Sequence, residues 1–307
     1  MIFGLNTSGI YSAPAKINLH LYITDILTDG RHALDTSFIF VDCCDMLHIK
    51  ASPMLSVRCS ENKLSGEHNL VFQILHALRE KEHIQQGLDI FIDKKLPSQA
   101  GLGGGSSDAA TALMVANAMW HLNYTTEQLI DFATPFGADI PCFLFGQASL
   151  AQGVGEQLCP YPETFTDSYV CLAKPISGLS TKDVFQQFDS MLESQKINAL
   201  NIHSQSPLTP SISADKMRAA SQGKVAIGEN MLEKSAQALL PEIEPLLHAM
   251  RQQASLAWMS GSGSTCVALC SSLQDAEQLA KHLQHSGQAN WTHAGRLLSR
   301  HPAFEDK

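Results

Sequence analysis

Between Leu96 and Met119 the chain reads LPSQAGLGGGSSDAATALMVANAM, and this stretch constrains the fold more than any other. Gly101, Gly103, Gly104 and Gly105 crowd into five consecutive positions, with Ala100 before them and Leu102 among them. Ser106, Ser107 and Asp108 follow, and then Ala109, Leu113, Ala116 and Trp120 recur at the spacing of one helix face. Glycine takes positive φ and lets another molecule approach the backbone closely. The first N–H groups of a helix lack intrahelical partners and carry partial positive charge. A glycine-rich turn that opens a helix is therefore an anion site, and phosphate suits it best. A plain turn needs one or two glycines; four, with two hydroxyls at the cap, go beyond that. It is not a Walker loop, because no Lys follows the glycines, nor a dinucleotide fingerprint, because Ser106 stands where the third Gly is required.

A length of 307 residues suits about two domains. Pro160, Pro162 and polar neighbours place the boundary within 155–168, giving units 1–160 and 161–307. Hydrophobic residues make up 44% and charged residues 17%, which predicts a large core. The formal charge of −9 argues against nucleic acid or an anionic membrane as partner. An anionic substrate must then be held by local backbone amides and a few lysines. No basic start with a long apolar run marks a signal peptide, and no apolar run reaches the ~20 residues of a membrane span. The eight cysteines lack Cys-x-x-Cys spacing and the thirteen histidines lack metal-ligand spacing, so the expectation is buried thiols in a reducing cytoplasm and no structural metal. The sequence sets no oligomeric state.

Alternation of Ile17, Leu19, Leu21 and Ile23 with Asn18, His20, Tyr22 and Thr24 predicts a half-buried strand. SFIFVDCC, DMLHIKA, LSVRC and GLDIFID predict further strands, with a helix in HNLVFQILHALREKEHI. Thr125 and Gln128 form a capping box that opens a helix through Ala133, and ADIPCFLFGQASLA has strand character. SYVCLAKP predicts a strand, followed by a helix capped at Ser180 and a polar stretch from Gln195 to Lys224. GENMLEKSAQALLPEIEPLLHAM reads as helix broken by Pro241 and Pro245, AWMSGSGSTCVALC as two strands around a tight turn. A helix in QDAEQLAKHLQHS and a strand in WTHAGRLLS complete an α+β pattern.

Four stretches in order, SAPAKINLHLYI, LPSQAGLGGGSSDAA, FGADIPCF and MSGSGSTCVAL, resemble the GHMP kinases, the superfamily of galactokinase, homoserine kinase and mevalonate kinase. DG-x-H-x-L at 29–34 and the later GxGE bring the resemblance nearest to the branch whose acceptor is 4-diphosphocytidyl-2-C-methyl-D-erythritol, on the non-mevalonate route to isoprenoids. The resemblance implies a two-domain α+β fold with the active site in the cleft between domains. It also implies ATP with Mg²⁺ as donor, a small-molecule alcohol as acceptor, and transfer to the acceptor's 2-hydroxyl. Homoserine or mevalonate as acceptor, or a non-catalytic nucleotide-binding protein, are the alternatives.

Residue by residue, the resemblance places ATP against Pro97, Ala100, Gly101, Leu102, Gly103, Gly104, Gly105, Ser106 and Ser107. It adds Lys94 or Lys95 and Asn69 toward the adenine, and leaves open whether Ser106 or Ser107 touches Mg²⁺. Acceptor contacts fall on Asn18, Arg31, His32, Thr181, Gly261 and Ser262. Phosphoryl transfer to an alcohol needs the acceptor proton removed and developing charge stabilised. One carboxylate and one ammonium do both, and the resemblance assigns Asp139 as base and Lys16 as its partner. Three positions depart from the family pattern. Arg31 replaces a Tyr that stacks on cytosine, Met231 an Asp and Gln147 a Gly. A planar guanidinium can also stack on a base.

Overall fold

The computed structural model describes residues 8–161, 165, 168–194 and 227–304. The polar stretch from Gln195 to Lys224 lies outside the described residues. The chain begins with two long antiparallel strands, β1 (Ser8–Ile26) and β2 (His32–Ser52), joined by the turn that carries Asp29 and Arg31. β2 is one continuous strand where the sequence suggested two. β3 (Ser56–Cys59), helix α1 (Leu70–Lys81) and β4 (Gly87–Asp93) follow. The helices α2 (Gly104–Met119), α3 (Thr126–Ala133) and α4 (Ile140–Phe145) come next, then β5 (Ser149–Gln152) and β6 (Gln157–Pro160). The second half holds β7 (Tyr169–Lys174), α5 (Thr181–Ser194), α6 (Glu233–Leu239), α7 (Ile243–Gln253), β8 (Leu256–Met259), β9 (Cys266–Cys270), α8 (Leu273–His285) and β10 (Trp291–Leu298).

Among the described residues the strands form one sheet in the order β3-β4-β2-β10-β7-β9-β8. β1 pairs with β2, and β5 pairs with both β2 and β6. The last strand closes this sheet: β10 pairs with β7 along most of its length and meets β2 at Leu297 and Leu298. One apolar cluster packs α1, α2 and α4 on β2 and β4; a second packs α5 to α8 on β7 to β9. A third, around Ile17, Ile39, Leu172 and Trp258, joins the two halves.

The differences from the sequence expectations have local causes. Over residues 13–21 β1 is buried on both faces, Asn18 and His20 as fully as Ile17 and Leu19, because its polar face turns inward against a built site. IPCFLF is helix, not strand: Pro141 sits in the first turn of α4, where its missing N–H costs nothing, and Gly146 ends the helix in the left-handed conformation. Pro241 separates α6 from α7, but Pro245 lies in the first turn of α7 and breaks nothing. The capping box at Thr125 and Gln128 is formed in full.

Candidate active site

The chain leaves β4 at Asp93 and reaches α2 through the glycine-rich loop. Gly103 has φ 68° and stands as the N-cap of α2, with no side chain capping the helix. The amides of Gly104, Gly105 and Ser106 therefore have no partner within the helix, and no acidic residue sits in its first turn. Residues 107–117 of α2 are all buried, so the helix presents its free end to the cleft and little else to solvent. Gly101, with φ 73°, serves a second purpose. A Cβ there would lie 2.5 Å from the carbonyl of Ser260, so the glycine lets the β8–β9 turn press on the glycine-rich loop.

That turn is held from several sides. Ser260 Oγ donates to Gly101 O (3.3 Å), and Thr265 N donates to Ala100 O (3.1 Å). Asn230 Nδ2 donates to the carbonyls of Met259 and Gly261, and Thr181 at the start of α5 bonds Ser262 through their hydroxyls (2.9 Å). The sequence marked the turn but not Asn230, whose role depends on a contact far along the chain.

Lys16 and Asn18 come from β1, and Asp139 stands at the entrance to α4. Lys16 N donates to Leu102 O (3.0 Å), which fastens β1 to the glycine loop. Lys16 Nζ lies 3.5 Å from Asp139 Oδ2 and donates to Asn18 Oδ1 at 2.8 Å. The lysine side chain is 4% exposed and the aspartate 38%, so the carboxylate opens toward the cleft while the ammonium is enclosed. Asn18 Nδ2 donates to Thr36 Oγ1 (2.8 Å), and Thr36 Oγ1 donates to the carbonyl of His20.

Lys94 sits between two buried carboxylates. Its Nζ donates to Asp45 Oδ2 and, at 2.8 Å, to Asp108 Oδ2. Asp45 Oδ1 also accepts the amides of Lys95 (2.6 Å) and Leu96 (2.9 Å), so one carboxylate shapes the approach to the loop. Burial pushes the Asp108 carboxyl above the ordinary range, with the Asp45 charge adding to it and Lys94 only partly offsetting it. Burial alone would lower Lys94, but the Asp108 and Asp45 charges outweigh it and hold the ammonium firmly protonated. Asp108 Oδ1 and Ser107 Oγ are buried without a hydrogen-bond partner. Sequence reasoning passed over Asp45 and Thr36. Each reads as an ordinary strand residue until the sheet registers place it.

These groups line one cleft of roughly 590 Å³. Its walls include Lys16, Asn18, Asn69, Lys94, Pro97, Ala100 to Ser106, Asp139, Thr181, Gly261 and Ser262. Asn69 also caps α1, accepting from Val71 N and donating to Leu64 O. Lys94 rather than Lys95 faces the cleft, and three further expected residues stand off the lining. Ser107 is fully buried behind the loop. Arg31 is exposed at the hairpin tip, its Nε 2.7 Å from Asp29 Oδ2, where its backbone N–H and then its guanidinium hold Asp29 below the ordinary carboxylate range. His32 is enclosed, its Nε2 2.7 Å from Asp189 Oδ1 and its ring 4.7 Å from Phe185, a residue that does face the cleft.

Comparison with known proteins identifies the family of the chain. Residues 69–147 match the GHMP kinases N terminal domain and residues 214–289 the GHMP kinases C terminal domain. The chain belongs to the GHMP kinases and is an ATP-dependent small-molecule kinase. Its similarity to particular members is closer in some directions than others. It is 34% identical over 292 residues to the 4-diphosphocytidyl-2-C-methyl-D-erythritol kinase of Cupriavidus taiwanensis, covering 94% of this chain and 93% of that protein. It is 38% identical over 203 residues to the enzyme of the same name from Shewanella denitrificans, covering 64% of this chain and 69% of that one. A crystal structure of 4-(cytidine 5'-diphospho)-2C-methyl-D-erythritol kinase superposes with a TM-score of 0.73 at 28% identity, covering 94% of this chain and 99% of that chain. The mevalonate kinase of L. major shares the fold, with a TM-score of 0.69 at 15% identity, covering 98% of this chain and 99% of that chain.

Proposed function

We propose that the chain transfers the γ-phosphoryl group of ATP to the 2-hydroxyl of 4-diphosphocytidyl-2-C-methyl-D-erythritol, in the cytoplasm, on the non-mevalonate route to isoprenoid precursors. Units 1–160 and 161–307 carry the two sides of the cleft. The observation that carries the chemistry is the Lys16–Asp139 pair, 3.5 Å apart and fastened through Lys16 N to the glycine loop. Supporting the location, no helix among the described residues is long and apolar enough to cross a membrane.

The free amides at the start of α2 hold the phosphate oxygens of ATP. Asp139 accepts the proton of the acceptor hydroxyl as that oxygen forms its bond to phosphorus. ADP departs with the electrons of the broken P–O bond. The enclosed Lys16 ammonium stabilises negative charge on the acceptor oxygen as its proton leaves. Of the two serines Ser106 lines the cleft, and its hydroxyl would hold Mg²⁺, which would neutralise phosphate charge when bound, whereas Ser107 is buried behind the loop. In this reading Asn69 and Lys94 contact the nucleotide and Asn18, Thr181, Gly261 and Ser262 the acceptor; all six line the cleft. Arg31 and His32 mark the end where the cytosine would be read.

Coupled ADP release across a panel of alcohols tests the reading. Turnover is expected with 4-diphosphocytidyl-2-C-methyl-D-erythritol and not with homoserine or mevalonate. Turnover on either of those instead would reassign the acceptor, and none on any would leave a binding protein.

A further inference from the structure

We propose that Thr36 is a positioning residue for phosphoryl transfer, because its hydroxyl fixes which end of the Asn18 amide faces Lys16. A threonine hydroxyl has one proton to donate. Thr36 gives it to the carbonyl of His20, so toward Asn18 it can only accept. The amide atom 2.8 Å from Thr36 is then the NH₂, and the oxygen must be the atom 2.8 Å from Lys16 Nζ. A chain of donors and acceptors thus dictates the amide orientation.

Thr36, Asn18 and Lys16 are all buried, which leaves little room for water to take over any of these bonds. The backbone of Asn18 is also clamped: its N–H donates to Ser260 Oγ (3.2 Å) and its carbonyl accepts from Trp258 Nε1 (2.8 Å). With the residue pinned, rotation of the amide about its own axis is the main freedom left. Reversed, the amide would set its NH₂ against an ammonium, two donors face to face. As built, Asn18 Oδ1 is the nearer partner of Lys16 and Asp139 the more distant one, 2.8 against 3.5 Å. The ammonium is kept from closing fully on the carboxylate, and Asp139 stays open to the incoming hydroxyl.

This inference rests on the roles proposed for Asp139 and Lys16, and its test separates the two. Thr36→Val, Thr36→Ser, Asn18→Ala, the Thr36→Val/Asn18→Ala double variant and Asp139→Asn are compared for kcat and both KM values, after thermal melts show each is folded. Thr36→Val should lower kcat roughly tenfold, the size expected for a buried hydrogen bond felt only through geometry, with KM for ATP within about twofold. Thr36→Ser keeps the hydroxyl and should restore most of the rate. The double variant should be no slower than Asn18→Ala alone, since Thr36 acts through Asn18. Wild-type kcat in Thr36→Val, or losses that multiply in the double variant, would overturn the proposal. If Thr36→Val does not fold, Thr36→Ala, which leaves room for a water, is read against the same two criteria. Normal turnover in Asp139→Asn would remove the base assignment, yet the coupling of Thr36 to Asn18 would still decide this inference.

Discussion

Asp139 and Lys16 differ most in how they meet solvent, and that asymmetry suits the roles proposed for them. The Asp139 carboxylate is 38% exposed, as a base that must reach its substrate would need, and Lys16 is 4% exposed, where an ammonium acts more strongly on nearby charge. Asp139→Asn should preserve ATP binding by calorimetry and lower kcat by roughly 10²–10⁴-fold. Near-normal kcat would show that Asp139 is not the base. Arg31 poses a different question. It is forked on Asp29 at the hairpin tip, where an ion pair between exposed groups contributes little. If the guanidinium instead stacks on the cytosine, Arg31→Ala should raise KM for the acceptor by roughly 2- to 30-fold and leave KM for ATP unchanged. An unmoved acceptor KM would leave Arg31 as a surface partner of Asp29. At this scale the sequence identified Asp139 and Lys16 only through the order of family motifs. Neither residue has a local pattern of its own, and residues far apart in the chain meet only through the fold. Thr36 and Asp45 had no such motif and stayed hidden.

Helix α2 shows how one element serves two ends. Its first turn is bare where it meets the cleft, and its body is apolar and lies inside the fold, so glycine gives way to alanine and leucine within a few residues. Gly105 separates these demands. A Cβ there meets nothing within 4 Å, so alanine fits without a clash. In a helix alanine is favoured over glycine by about 0.5–1 kcal/mol, so Gly105→Ala should melt slightly higher than wild type. If phosphate approaches the amides of this turn, the same methyl should weaken ATP binding measured by calorimetry. A variant that gains stability and keeps full affinity would mean the loop only turns the chain. Elements with strong local signals were legible, notably α3 with its capping box, β4, and the strands flanking the SGSGS turn. The six residues of α4 were not. A short apolar run fits either a strand or a buried helix turn, and here the proline and the terminal glycine decided for helix.

The whole molecule is closed by its last residues, which return from the second half to the first. Beyond β10, Ala148 N donates to Ser299 O (2.8 Å) and His301 N to Gly146 O (2.9 Å). The His301 ring is buried edge-on against Phe40. Its Nδ1 accepts from Ala303 N (3.1 Å), so in the neutral ring Nε2 carries the proton toward Thr111 Oγ1 (3.3 Å). Burial drives the His301 pKa down to about 3. Because the folded value lies below the unfolded one, the unfolded chain takes up the proton first as pH falls. The stability held by neutral His301 is therefore complete above pH ~6.5 and drains away toward pH ~3, at about 1.4 kcal/mol per pH unit. Asp108 acts in the opposite sense. Its folded pKa is raised by burial, so the folded chain keeps a proton that the unfolded chain releases above pH ~4. Its contribution is full below that value and is lost as pH rises through the folded pKa. From pH ~4 upward into the weakly acid range the two slopes oppose each other, and urea midpoints of the wild type should change little on their account. His301→Gln should leave the Asp108 slope alone, so its stability should fall relative to wild type as pH rises through that range. Asp108→Asn should show the reverse, losing stability as pH falls from 6.5. Parallel curves for both variants and wild type would mean that neither group is protonated as its burial requires.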